Sequence, residues 1–368
     1  MIRDTIFSPS FGNRPAYLVG REQILQGFLN GLLSMPGSKD RAVVMLGQRG
    51  SGKTVLLWEL ADRAAERGYV VATPTIVSEG MLERIVEKIQ EHGSRYVGTP
   101  TQAHISGATV GAFGFSAGLE FTHEVQETKT PEFKLTMLAR RLSRQGHGIL
   151  ILIDELQANS QEVRKLVSVY QEMVGERLDV AIVLAGLPGA VSATLNDRVL
   201  TFLNRARKVS LPPLALNDVD AFYQRAFREL GVKLSGELRE QAVEATQGSP
   251  YMLQLVGHGI VTRASSDGSI SDDGLRAALE FARRDFENDV CETTLATLSE
   301  QDIAFIHAMS LDKGPSAMKD VAERMSVTSD YAQKYRRRLI DAGVIESAGR
   351  GRVVFAVPYL DDYLKRPE

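Results

Sequence analysis

The segment AVVMLGQRGSGKT, running from Ala42 to Thr54, constrains this chain more than any other stretch. It opens on a short, uninterrupted apolar run, the pattern of a strand buried on both faces. Gly47, Gln48, Arg49, Gly50, Ser51, Gly52, Lys53 and Thr54 follow in the form GxxxxGK[ST], and from Thr54 through Val55 to Glu66 the residues are good helix formers that stop before Gly68. Strand, glycine turn and helix start, in that order, make a cradle for phosphate. The glycines let backbone N–H groups turn inward, and the helix N-terminus adds partial positive charge. Lys53 is expected to reach the β- and γ-phosphates, and the Thr54 hydroxyl to coordinate Mg²⁺, so ATP or ADP with Mg²⁺ is the expected ligand.

A second buried strand, ILILIDE at 149–155, delivers Asp154 and Glu155 to the carboxyl edge of a sheet. Ligands of open α/β sheets bind at that edge. Asp154 is placed to orient Mg²⁺, and Glu155 is the candidate base or positioner for an attacking water.

Apolar strand patterns at 42–47, 69–76, 148–154 and 178–188, with a further segment at 206–214, alternate with helical patterns at 23–33, 54–66, 81–92, 131–144 and 161–176. This alternation predicts an α/β core with a doubly wound parallel sheet over 1–215. Residues 105–121, glycine alternating with apolar side chains, read as an inserted β-hairpin. Residues 216–290 are helix-patterned around the breakers TQGSP and ASSDGSISDDG, which predicts a helical lid domain. Three short helical patterns and a hairpin-like ESAGRGRVVFAVP over 297–368 suggest a winged helix.

The bulk numbers narrow the class. At 368 residues more than one domain is expected. A net charge of −3 excludes a chain that coats a polyanion with its whole surface, so any such contact must be local. One cysteine, Cys291, permits no internal disulfide, and the six histidines have no metal-ligand spacing. The amino terminus has no apolar signal core and no uncharged run is long enough to span a bilayer, so a cytoplasmic protein without a membrane partner is expected.

Taken together, LVGRE at 18–22, GQRGSGKT, LILIDEL, the helical segment with GSP and the terminal winged helix resemble the AAA+ and STAND-type P-loop ATPases related to the origin-recognition initiators. The resemblance spans most of the chain and leaves out 105–127. It implies that Val19, Gly20 and Arg21 lie against the adenine, and that Gly248 to Pro250, at the start of a lid helix, face the nucleotide. Two departures stand out. The fourth core strand ends in Ala185, Gly186 and Leu187 where the family has a polar sensor of the γ-phosphate. The lid helix carries Tyr251 and Met252 where initiators tend to carry an arginine. Arg205 and Arg207, before the last core strand, are candidate arginine fingers acting in trans; surface arginines on an exposed helix are the other reading.

Between Tyr331 and Arg352 stand Lys334, Arg336, Arg337, Arg338, Arg350 and Arg352 against Asp341 and Glu346, a local net of +4. If the helix from Ser329 entered a major groove, Gln333, Lys334 and Arg337 would meet bases or phosphates, and Arg350 and Arg352 on the wing the adjacent backbone. Three functions fit these readings. One is a slow ATPase whose nucleotide state controls a winged helix on double-stranded DNA. Another is a STAND-like switch in which ATP/ADP exchange controls homo-oligomerisation and a protein partner. The third is a small-molecule kinase, in which neither the Asp-Glu pair nor the winged helix would have a role.

Overall fold

The computed structural model describes residues 2–10, 14–97, 130–198 and 200–366; the expected hairpin at 105–121 lies outside them. Five strands, β1 (Ala42–Leu46), β2 (Val70–Ile76), β3 (Ile149–Asp154), β4 (Val180–Gly186) and β5 (Arg207–Ser210), form one sheet in the order β2-β3-β4-β1-β5. All of its pairings are parallel. β3 and β4 are buried along their whole length, which is why their sequences read as unbroken apolar runs.

Helices cover both faces. α1 (Glu22–Leu32) and α2 (Lys53–Glu66) bury Leu25, Phe28, Leu56, Leu57 and Leu60 against Val43, Met45, Leu150, Leu152 and Val183. α3 (Met81–Val97), α4 (Pro131–Arg144) and α5 (Gln161–Gly175) bury Ile85, Leu138 and Tyr170 against Val44, Ile151 and Ile182 on the opposite face. Odd and even strand positions thus serve different layers, as strand geometry requires. α6 (Pro188–Leu195) follows β4 directly. The strand pattern at 178–188 extends past the end of β4 at Gly186, because a proline suits the first helical turn, where its missing N–H costs nothing.

The lid consists of α7 (Leu216–Leu230), α8 (Gly236–Glu244), α9 (Pro250–Arg263) and α10 (Asp272–Phe286). Ser235, Ser249 and Ser271 cap α8, α9 and α10, each accepting a first-turn N–H, a contribution of about 1 kcal/mol per cap. The first residues of the chain join this domain and not the sheet. Ile6 and Phe7 are buried in its core, the Phe7 ring meets Phe222, Tyr223 and Phe227, and the Ser8 N–H donates to Gln254.

One wide helical turn, Glu287–Glu292, carries α10 onward to a C-terminal module. The module contains α11 (Glu300–Ser310), β6 (Ser316–Ala317), α12 (Met318–Arg324), α13 (Ser329–Asp341), β7 (Ile345–Ser347), β8 (Arg352–Phe355) and α14 (Leu360–Leu364). Its strands form an antiparallel sheet in the order β6-β8-β7. The lid and this module share one continuous core in which Phe286, Val290 and Cys291 pack with Phe305, Ile306 and Leu360. No described helix is long and apolar enough to cross a membrane.

Candidate nucleotide site

The loop after β1 closes around its own lysine. Gly50 and Gly52 hold φ of 72° and 85°, left-handed backbone that a side chain would strain, and Gly52 caps α2. The Lys53 ammonium donates to the carbonyls of Gly47 and Gln48 at 2.9 and 2.8 Å. Two of its three donors fix the loop, and one remains for a phosphate oxygen. Burial pulls the Lys53 ammonium down to about 8, against the opposing attraction of Asp154 and Glu155.

β1 and β3 are separated by β4, so their carboxyl ends stand about 10 Å apart. Even so, the Thr54 hydroxyl donates to Asp154 Oδ2 at 2.6 Å. The second carboxylate oxygen of Asp154 accepts the Glu155 N–H at 2.9 Å, and the Asp154 side chain is buried. Glu155 itself is exposed and held at φ 53°, left-handed backbone that costs a non-glycine residue roughly 1–2 kcal/mol. Strain of this kind collects at working sites. A hydroxyl, a carboxylate and an ammonium at one sheet edge suit Mg²⁺ and a polyphosphate, since Mg²⁺ is bound by few protein oxygens together with the substrate's own.

Gly186, where the resemblance leads one to expect a polar side chain, has no room for one. A Cβ at Gly186 would stand 2.8 Å from the Leu156 Cβ, closer than packed carbons come, so a polar side chain does not fit here.

The lid leans over the loop. An added Cβ at Gly52 would touch Pro250 at 3.7 Å, and one at Gly50 would touch Tyr251 at 3.4 Å. The Tyr251 hydroxyl donates to Asp289 at 2.5 Å, which anchors the ring. Sequence reasoning missed this role for Tyr251, which stands one residue beyond the expected GSP segment. Gly248, at φ 70°, brings its carbonyl to the Leu214 N–H at 2.7 Å, tying the lid to the strand that leaves the core.

Gly20, at φ 63°, packs beside Leu214 and Asp218, and Val19 borders the lid core. Arg21 is buried, donates to the Pro212 carbonyl at 2.5 Å, and has its pKa lowered by desolvation. The proposed adenine segment thus lies at the seam between core and lid.

Other sequence candidates stand elsewhere. Arg207 pairs with Val43 at the amino end of the sheet, away from the loop, and donates to the Gly27 carbonyl at 3.3 Å. Arg205 is exposed at the end of the turn Thr201–Arg205. Neither is brought to the phosphate loop of its own chain. Gln333, Lys334 and Arg337 are exposed on α13, and Arg350 and Arg352 are exposed at the β7–β8 turn. Their neighbours are engaged inside the module: Arg338 pairs with the buried Asp302 at 2.7 Å, and Arg336 donates to Ser347 at 3.2 Å.

Fold and site together define a P-loop ATPase domain. The chain belongs to the family described as ATPase domain predominantly from Archaea, whose model matches residues 21–256, and a domain of unknown function matches residues 288–364. Among solved structures, a Walker-type ATPase of Pyrococcus abyssi superposes with TM-score 0.65 at 16% identity, over 96% of this chain and 97% of that one. The Aeropyrum pernix ORC2 protein, in ADPNP–ADP complexes, superposes with TM-score 0.63 at 17% identity, over 97% of this chain and 94% of that one. Cdc6p of Pyrobaculum aerophilum gives 0.50 at 15% identity, over 97% and 95%. Identities this low establish a shared fold. Among curated proteins none matches the chain in sequence.

Proposed function

We propose that this chain is a slow, Mg²⁺-dependent ATPase whose nucleotide state positions a C-terminal winged helix on double-stranded DNA. The observation that carries the DNA part is the division of labour among the basic residues of the module. Arg336 and Arg338 are spent on internal partners, whereas Gln333, Lys334, Arg337, Arg350 and Arg352 stand exposed on one helix and the adjoining turn. A helix with a flanking basic turn is the form that enters a major groove and grips the neighbouring phosphates. The nucleotide part rests on Lys53, Thr54 and Asp154, and is supported by the ADPNP and ADP that the Aeropyrum pernix ORC2 structure contains.

In this reading Lys53 draws charge from the phosphates, and Thr54 and Asp154 hold Mg²⁺, which screens charge on the transferring phosphoryl group when bound. Glu155, exposed beside Asp154, orients the attacking water and takes its proton. Pro250 and Tyr251 press the lid on the loop, so that lid position follows its occupancy.

A fluorescent duplex titrated with ATP·Mg²⁺, with ADP·Mg²⁺ and without nucleotide tests the proposal. Binding should weaken with salt, and Arg350→Ala and Arg352→Ala should each lower the salt slope by about 1. Failure to bind at low salt in every nucleotide state would overturn the DNA part.

A second reading, a nucleotide-exchange switch that oligomerises and engages a protein, is favoured by the closed sensor position at Gly186 and by Tyr251 in place of an arginine. It requires ATP and ADP forms of different size at high concentration; identical monomers would exclude it.

A further inference from the structure

Gln48 faces two ways. Its backbone carbonyl receives the Lys53 ammonium at 2.8 Å, while its side-chain amide lies against Gly343 of the C-terminal module. Gly343 follows α13 at φ 71°; a Cβ there would collide with Gln48 Oε1 and come within 3.0 Å of its Cδ. Beside it, α13 ends on α6: a Cβ at Gly189 would stand 2.6 Å from the Cβ of Asp341 and 2.7 Å from its carbonyl carbon. Gly189 thus permits a backbone approach that a side chain would block, and at Gly343 a Cβ would force the Gln48 amide to move aside.

We propose that Gln48 is the positioning residue through which nucleotide on the phosphate loop loosens the docking of the C-terminal module, with Gly189 and Gly343 forming the dock. The inference rests on the nucleotide reading above and deepens it. Three observations give its direction. Gln48 Oε1 is buried without a hydrogen-bond donor, so the docked arrangement holds an unsatisfied acceptor. A phosphate held by Lys53 brings negative charge to the loop whose Gln48 carbonyl Lys53 also holds, and a shift of that loop turns the amide away from Gly343. The module also stays tied to the lid, because Arg366 pairs with the buried Glu287 at 2.6 and 2.7 Å and the Tyr359 hydroxyl donates to the Ala245 carbonyl at 2.5 Å. Lifting α13 from α6 is thus a rotation about the lid–module junction and not a separation. Closely packed interfaces have discrete alternatives, so a small movement of the loop suffices.

Amide hydrogen exchange of the whole chain, with Mg²⁺ and a non-hydrolysable ATP analogue, tests this. In the unaltered protein the analogue should protect 47–55 and speed exchange over 339–345 by about fivefold or more, the low end of couplings between sites. Gly189→Ala, which suits a helix better than glycine but drives a Cβ into Asp341, should exchange fast over 339–345 with or without the analogue. It should still be protected at 47–55, and unchanged exchange in β3 and β4 shows that the variant is folded. Protection at 47–55 with exchange over 339–345 unchanged or slowed would overturn the proposal, as would a wild-type response in folded Gly189→Ala. No protection at 47–55 in the unaltered protein would overturn the nucleotide reading itself, and this inference with it.

Discussion

The Thr54 hydroxyl donates to Oδ2 of Asp154 at 2.6 Å, joining the phosphate loop to the acidic end of β3 across 100 residues of chain. The bond brings a hydroxyl and a carboxylate together at one sheet edge, where in the proposed reading both would face the cation.

Thr54→Val keeps the shape and removes the oxygen. A hydrogen bond to a charged group contributes about 1.5–3 kcal/mol, and the lost ligand adds to that for the cation. ATP affinity in Mg²⁺ should fall at least about tenfold, corresponding to 1.4 kcal/mol, while affinity in EDTA changes little. Calorimetry in the two buffers measures both; an equal loss in each would show that Thr54 acts on the loop and not on the metal.

Lys53 gives the affinity a pH dependence of known sign. Its ammonium is pulled down to about 8 by burial, and phosphate binds the charged form. Nucleotide affinity should therefore be flat below about pH 7.5 and fall as pH rises through 8, by up to tenfold per pH unit. Lys53→Met should bind weakly with no such fall. Fluorescent-nucleotide titrations between about pH 7 and 9.5 read the profile, and an unchanged affinity across that range would mean that Lys53 does not contact the phosphates.

Gly186→Asn places a polar sensor where the resemblance leads one to expect it. Because a Cβ there meets Leu156 at 2.8 Å, overpacking should cost about 1–3 kcal/mol and turnover should not rise. Thermal denaturation and ATP turnover of the variant check this; a stable variant with faster turnover would show that the position is open.

The parts of the molecule legible in the sequence were the local ones. The core order was readable because the strands that are buried on both faces leave no polar residues to interrupt the pattern, and because GQRGSGKT needs only its own glycines to make its turn. Edges were less exact: α6 begins at Pro188, inside the expected strand, and α3 runs on past His92 to Val97. Contacts between distant segments left no pattern. Nothing in TIFSPS marks Phe7 as part of the lid core, yet its ring occupies the space that a Cβ on Gly257 would need, 2.5 Å from Phe7 Cζ. Tyr251 reads as a departure from an arginine until its Cβ is found beside Gly50 and its hydroxyl on Asp289. Gly189 and Gly343 carry no signal of their own in the sequence, and only the fold brings each against its partner.

ATP turnover of the unaltered protein and of Glu155→Gln, with and without duplex, tests most directly whether this chain is an ATPase coupled to DNA. Loss of a positioned base should lower turnover by about 10²–10⁴ while nucleotide binding persists. The account predicts slow turnover that duplex DNA changes in the unaltered protein and that Glu155→Gln abolishes under both conditions. Turnover indifferent to DNA and equal in the two proteins would contradict it.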